Sequence, residues 1–281
     1  VQLYHGLTGE LPRGLQRAGT KGVVTIHDLI FLRHPEYYHW LDVKLYAWKF
    51  RNALREADRI IAISECTKRD IMELGGVSAE KIDLIYQSCS PKFAERLSES
   101  VFAQVRHQYG LTSRFILSVG TIERRKNLLL AIRALDYLPQ DVHLVAVGQK
   151  TDYVKEFPNN PRVHLLSGVK DEALAALYQM AEVFVYPSRY EGFGIPIIEA
   201  IHSGLPVVAC TGSCLEEAGG PDSLYVSPDD AEGMAHAVSS VLKGSADRDE
   251  RIHRSQAYVR RFEGLDVAGQ VMDVYRKVLA I

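Results

Sequence analysis

Short, almost continuously apolar runs recur along the chain, separated by stretches whose apolar positions return every three or four residues. VQLYH (1–5), GVVTIH (22–27), RIIAIS (59–64) and KIDLIY (81–86) read as strands covered on both faces, the pattern of a parallel sheet. Helical periodicity fills residues 36–57 and 65–75, the second ending at Gly75-Gly76. SCSPKF (88–93) and the polar stretch behind it read as a linker. A second series follows: RFILSVG (114–120), VHLVAVG (142–148), RVHLLSG (162–168), EVFVYPS (182–188), LPVVAC (205–210) and SLYVS (223–227). Helices are predicted over 126–138, 171–181 and 229–243, with Asp171 and Asp229 as N-caps, and two more follow Asp247. Strand–helix alternation on both sides of a break at 88–112 predicts two α/β units.

Composition narrows the function. Across 281 residues, 47% hydrophobic and 24% charged, the net charge of −2 gives no global attraction to nucleic acid. No apolar run is long enough to span a bilayer, and no signal peptide is evident. Cys66, Cys89, Cys210 and Cys214 form no CxxC pair and have no His-x3-His companion, which argues against zinc and for reduced thiols. The expected location is therefore the cytoplasm, with the inner face of the membrane as a peripheral setting.

The chemistry concentrates in PSRYEGFGIPIIEAIHSG, residues 187–204. Strand 182–186 runs into a loop, Pro196 suits the first turn of a helix, and Gly204 suits its C-terminal stop. Gly192 and Gly194 thus open a helix at the C-terminal side of a strand, where α/β sheets bind ligands and backbone N–H groups favour an anion. Glu199, about one turn inside, is an acceptor for a vicinal diol such as a ribose; Glu191 sits on the loop before it. A plain strand–loop–helix joint would use the same glycines only to turn, so a cationic partner matters. SVGTIERRKNLLLAI (118–132) supplies one, placing Arg124, Arg125 and Lys126 after a strand end. An Arg fork and a Lys point charge suit a diphosphate, although a solvated helix start would also display them. Three cations at a helix N-terminus oppose its dipole, a local conflict that favours a functional reading.

Taken together, these segments resemble the retaining GT-B glycosyltransferases of family 4, the glycosyltransferase group 1 family. The carriers are EGFGIPIIEA with Glu191 and Glu199 eight positions apart, SVGTIERRKN, and SGLPVVAC followed by SCLEEAGGPDSLYVSPDD. TIHDLIF and ADRIIAISECTKRDI resemble the acceptor-side domain of that family. The resemblance implies an α/β GT-B architecture of two Rossmann-like parallel-sheet domains facing a cleft. The expected divisions are an acceptor-side domain over 1–105, a donor-binding domain over 106–262, and a helix over 263–281 crossing back onto the first. The chain opens at VQLYHGLTGELP, apparently midway through the first domain, so that domain is expected to be shortened.

By position, the resemblance implies that Arg125 and Lys126 bind the donor diphosphate. It implies that Gly120, Gly192, Phe193, Gly194 and Ile195 approach the phosphates and sugar through backbone, and that Val169 meets the base. Glu191 would contact the transferred sugar, Glu199 the ribose, and His27 would sit across the cleft near sugar and acceptor. A core histidine at a strand end is the plainer reading of His27. Two positions depart from the family pattern: Thr121 stands where many members have Arg, and Glu216 where proline often stands. The implied reaction moves a hexose, mannose as a first guess, from a nucleoside-diphosphate sugar (GDP-mannose) to a saccharide or lipid-linked acceptor at the membrane surface. No cofactor and no metal are expected, since no DxD-like cluster lies at a strand end. A nucleotide-sugar-binding module without transferase activity is the alternative. A dehydrogenase is disfavoured because no GxGxxG follows a strand, and a phosphorylase because no pyridoxal lysine is singled out.

Overall fold

Apolar runs covered on both faces require helices above and below a sheet, and the computed structural model, which describes residues 1–112 and 114–280, has that arrangement twice. One compact unit comprises Val1–Ser88, Glu191–Phe193 and Phe262–Ile281; the other comprises Cys89–Tyr190 and Gly194–Arg261.

The first unit holds β1 (Leu3–Gly6), β2 (Lys21–Ile26), α1 (Ile30–Arg33), α2 (Trp40–Glu56), β3 (Arg59–Ala62), α3 (Glu65–Gly75) and β4 (Ile82–Leu84). Its strands are all parallel in the order β1-β2-β3-β4. Side-chain alternation sorts each strand between two cores. Val24 and Ile26 of β2 and Ile60 and Ala62 of β3 pack with Phe50, Ala53 and Ile71 of the helices on one face. Val23 and Ile61 turn to the opposite face.

The second unit begins with α4 (Glu99–Tyr109) and β5 (Arg114–Val119), then α5 (Leu128–Ala134), β6 (Val142–Val147), β7 (Val163–Leu166) and α6 (Asp171–Met180). It continues through β8 (Phe184–Tyr186), α7 (Ile195–His202), β9 (Val207–Cys210), α8 (Leu215–Gly219), β10 (Leu224–Val226), α9 (Ala231–Ser240) and α10 (Arg248–Val259). Its six parallel strands lie in the order β10-β9-β8-β5-β6-β7, so the chain first winds outward from β5 through β6 to β7 and then restarts at β8 on the other side. That is the doubly wound pattern, with its switch point between β5 and β8. The last helix, α11 (Val267–Leu279), belongs to the first unit: Val267, Val271, Val274, Tyr275 and Val278 form a helical stripe over Val23, Ile61 and Ile85.

Three local expectations change. The division falls at Ser88–Cys89 rather than near 105, because the stretch read as linker contains α4, which packs on α6. Of α4 only Val105 is buried, so its polar sequence carries little periodic signal. Asp171 is already inside α6, whose N-cap is Lys170, and Asp171 pairs instead with Lys92 at 2.6 Å. The cap of α9 is Asp230, accepting from Gly233 N–H at 2.8 Å, while Asp229 pairs with Arg189. Gly204 closes α7 as expected, at φ +79°, with Leu205 N–H reaching Ala200 O and Gly204 N–H reaching Ile201 O.

Candidate functional site

The parallel neighbours β5 and β8 deliver the cationic loop (120–127) and the glycine-bearing loop (187–194) to one sheet edge, at the switch point. Gly120 leaves β5 at φ +145°, a conformation in which a side chain is strained. The Arg124–Lys126 turn ends at Asn127, which takes the left-handed conformation that asparagine tolerates. The buried Asn127 amide then donates to Pro187 O (3.2 Å) and Pro228 O (2.8 Å). Arg125 donates from Nη1 to Tyr190 O at 2.7 Å, and Arg189 N–H returns a bond to Arg125 O. Lys126 Nζ donates to the Tyr186 hydroxyl at 2.9 Å and lies 5.2 Å from that ring's centre. The two loops are therefore laced together by Arg125, Lys126 and Asn127 on one side and by the backbone and Tyr186 on the other.

The three cations thus have different situations. Arg124 turns away to Glu156 (2.7 Å) and is largely exposed. Arg125 is mostly buried, its fork engaged with Tyr190 O and Glu123. Lys126 lines a cavity of about 10 Å3 with Gly120, Tyr186 and Ser188. Ser188 Oγ is buried there without a hydrogen-bond partner among the described residues, a hydroxyl beside the ammonium that a ligand oxygen could satisfy.

α7 starts at Gly194 with Pro196 in its first turn and no side-chain cap. The end with the positive dipole is thereby left to backbone groups. Glu199, one turn in, accepts from the fully buried Tyr178 hydroxyl at 2.9 Å through Oε2. Burial raises the Glu199 pKa above the ordinary carboxylate value, and the Tyr178 hydrogen bond and the Lys92 charge pull it back only in part. A carboxylate has lone pairs beyond the one Tyr178 holds, enough for a diol.

A pH dependence follows. The folded state favours protonated Glu199, so it binds more protons than the unfolded chain between the ordinary and the raised value. Glu199 therefore contributes less stability as pH rises through that window. Diol binding needs the charged form, so affinity for a nucleoside diphosphate is expected to rise through the same window. Calorimetric titration from acid to neutral pH checks this. Glu199→Gln should flatten the profile relative to wild type, and Tyr178→Phe should move it to higher pH by removing the bond that favours the carboxylate.

Val169 follows β7 at the same edge of the second sheet, two strands beyond β5. Ile195 is the first residue of α7. Glu191, Gly192 and Phe193 belong to the first unit. There the ring of Phe193 packs on Tyr86 (5.7 Å between centroids) and Phe262 (5.5 Å), and Glu191 is buried. Gly192 O accepts from the Ser64 hydroxyl at 2.6 Å, and Thr67 Oγ1 lies 3.1 Å from both Gly192 O and His27 O. Ser64 also caps α3 by accepting from Thr67 N–H.

His27 is not a core histidine: it is exposed at the end of β2. Its Nε2 sits 2.9 Å from Leu7 O, and a carbonyl only accepts, so Nε2 carries the proton and Nδ1 presents a lone pair. His27 borders a cavity of about 240 Å3 with Asp28, Phe31, Tyr38, Tyr46 and Lys49.

Tyr178, Tyr186, Asn127 and Ser64 were missing from the sequence reading of the site. The tyrosines lie in strand and helix patterns that read as core, and only their partners across the fold distinguish them.

Comparison with known proteins bears on the whole chain. Residues 103–258 match the family described as glycosyl transferases group 1, and residues 3–91 match glycosyltransferase family 4. The chain is 29% identical to O-antigen chain mannosyltransferase B of Escherichia coli over 98% of its own length and 74% of that protein's. It is 29% identical to the MMP alpha-(1->4)-mannosyltransferase of Mycolicibacterium hassiacum over 82% of its length. It spans 56% of that relative and about a third of the serotype-specific mannosyltransferase WbdA of E. coli. In fold it is similar to the sucrose-phosphate synthase of Thermosynechococcus elongatus, with a TM-score of 0.82 at 24% identity, covering 99% of this chain and 74% of that one. Anabaena HepE, solved with UDP and glucose, gives 0.78 at 21% identity over 95% of this chain and 74% of that one. A matched profile spanning more than half of the residues, over two parallel sheets of the GT-B class, leaves one conclusion: the chain belongs to the group 1 glycosyl transferases.

Proposed function

We propose that the chain transfers a hexose from a nucleoside-diphosphate sugar to a saccharide or lipid-linked acceptor, with retention at the anomeric carbon. The observation that carries this reading is the lacing of the Lys126 loop to the loop that opens α7, at the switch point of the second sheet. A cation and a helix start held together suit the leaving diphosphate, whose negative charge grows as the glycosidic bond breaks. Lys126 and Arg125 supply the charge, with Gly120, Gly194 and Ile195 presenting backbone to the phosphates. Glu199 takes the ribose hydroxyls, and Val169 lies by the base. Glu191, Gly192 and Phe193 serve the transferred sugar.

Fixed charge of this kind stabilises the departing diphosphate without a metal or a cofactor. The acceptor hydroxyl attacks on the face the diphosphate leaves and passes its proton to a departing phosphate oxygen. His27 directs acceptor and sugar hydroxyls through its Nδ1 lone pair, and the cavity beside it is the place for the acceptor. Relatives named as mannosyltransferases make GDP-mannose the first donor to try and O-antigen-like polysaccharide the first setting.

Two measurements test the reading. In a thermal-shift series with UDP, GDP and ADP, one nucleotide should stabilise the chain clearly above the others; GDP is expected. His27→Ala should leave that shift unchanged and lower the transfer rate constant by about two orders of magnitude. A thermal shift with no nucleotide at all would remove the donor assignment.

A further inference from the structure

The small cavity beside Lys126 is lined by more polar groups than its size needs. Around it stand Ser118 of β5, Gly120 and Thr121 just beyond that strand, Lys126, Tyr186 at the end of β8, and Ser188. At about 10 Å3 it is at the threshold for a single water-sized oxygen, and far too small for a sugar or a base. The hydroxyls are out of place by strand pattern. Ser118 lies on the face of β5 that carries Ile116, next to its register partner Ala146, and Leu144, Val183 and Val185 of the same core are apolar. Ser188 is 0% exposed, and its Oγ has no hydrogen-bond partner among the described residues. Native chains keep few such groups, because a buried hydroxyl without a partner is destabilising.

The rest of the lining keeps the space open and charged. Gly120 stands at φ +145°, which disfavours any side chain, and a Cβ there would lie 3.6 Å from Lys126 Nζ. The Lys126 ammonium is held at the cavity by the Tyr186 hydroxyl, 2.9 Å away. A hydroxyl proton and an ammonium thus meet around room for one atom. The complementary occupant is a single hydrogen-bond acceptor. Water fits the volume, but an anionic oxygen gains more from these donors, because charge-assisted hydrogen bonds are the stronger ones.

We propose that this cavity seats one phosphate oxygen and that Ser188 donates to it, which adds a residue to the donor-binding set. The inference rests on the donor reading given above. On that reading Lys126 faces the phosphate that departs with the growing charge, so the seated atom is a non-bridging oxygen of the distal phosphate of a nucleoside diphosphate. Ser188 O–H and Lys126 N–H both donate to it. An oxygen held by two donors is less basic, so the proton of the acceptor hydroxyl passes to another oxygen of the same phosphate. A nucleoside monophosphate has no distal phosphate and leaves the seat to water.

The test is calorimetric titration of wild type, Ser188→Ala and Ser188→Cys with GDP, GMP, UDP and UMP, with the melting temperature of each chain taken without nucleotide. Ser188→Ala should lower affinity for the preferred nucleoside diphosphate about tenfold, the loss expected of one charge-assisted hydrogen bond. Affinity for the monophosphate of the same base should not change. Ser188→Cys keeps a weak donor of similar size and should lose less. Without nucleotide, Ser188→Ala should melt at the wild-type temperature or above, because the hydroxyl it removes has no partner to lose. The ratio of diphosphate to monophosphate affinity decides the matter, since a serine that only supports the fold or holds a buried water leaves that ratio alone. An unchanged ratio would overturn the seat while the donor reading stands. Equal losses for diphosphate and monophosphate would overturn it too, by taking the distal phosphate out of the contact. If wild type binds none of the four nucleotides, the donor reading falls and the seat falls with it.

Discussion

Alanine at Lys126 is expected to lower the rate constant for transfer by about two to three orders of magnitude, the loss typical of removing one preorganised charge or donor from a developing anion. The expectation rests on where the ammonium is held. The Tyr186 hydroxyl at 2.9 Å and the Tyr186 ring at 5.2 Å fix it at the switch point, beside Gly120, whose backbone leaves β5 at φ +145°. On the proposed reading, Lys126 in that position needs no reorganisation as charge builds on the leaving diphosphate. Affinity for the nucleoside diphosphate should fall as well, by about tenfold or more, because a charge-assisted hydrogen bond is worth roughly 1.5–3 kcal/mol. The fold should survive: Lys126 is a side chain of the site, and the loop remains tied by Asn127 and Arg125. Unchanged affinity together with unchanged turnover would sink the assignment of Lys126. Tyr186→Phe offers a finer measure. It keeps the ring and removes the oxygen, so it should weaken kcat more than it weakens nucleotide binding.

Gly192→Ala should cost both stability and activity. A Cβ on Gly192 would lie 2.1 Å from His27 O and 2.9 Å from Asp28 Cβ, so backbone must move against backbone. That movement pulls Gly192 O from the buried Ser64 and Thr67 hydroxyls, leaving Thr67 only its contact with His27 O. Overpacking and the lost hydrogen bonds together amount to about 2–4 kcal/mol. The same displacement carries Glu191 and Phe193 with it, and an error of about 1 Å at a reacting site costs on the order of a hundredfold in rate. Ser64→Ala separates the two contributions. It deletes the bond to Gly192 O and the α3 N-cap without a clash and should cost about 1–2 kcal/mol in denaturant unfolding. If Gly192→Ala and Ser64→Ala unfold at the same midpoint, the close approach of Gly192 to His27 has no energetic weight.

The strands were legible because each is a short apolar run that a parallel sheet buries on both faces, as with Val183, Phe184 and Val185. The stop of α7 was legible because Gly204 and Leu205 make a local motif. The cationic loop and the glycine loop were each visible, and so was their arrival at one edge, since strand–helix alternation makes the strands parallel and puts the loops that follow them on the same side. What joins them was not visible. Tyr186 reads as one more apolar residue of a strand, and its hydroxyl acquires meaning only from an ammonium 60 residues away in sequence. Tyr178 and Glu199 are likewise separated by 21 residues and meet by helix packing. Arg125 and Lys126 look equivalent as letters, yet one is tied to Tyr190 O and Glu123 while the other lines the cavity. α4 escaped because a helix with a single buried residue differs little from a polar connector.

The first unit is assembled from three separated stretches of chain, with α11 covering Val23, Ile61 and Ile85. On the ribosome, residues 89–261 emerge before α11 does. The six-stranded sheet can therefore close while the four-stranded one still has a bare apolar side awaiting its cover. Translation speed through residues 89–261 then sets how long that side stays open to chaperones or to wrong partners.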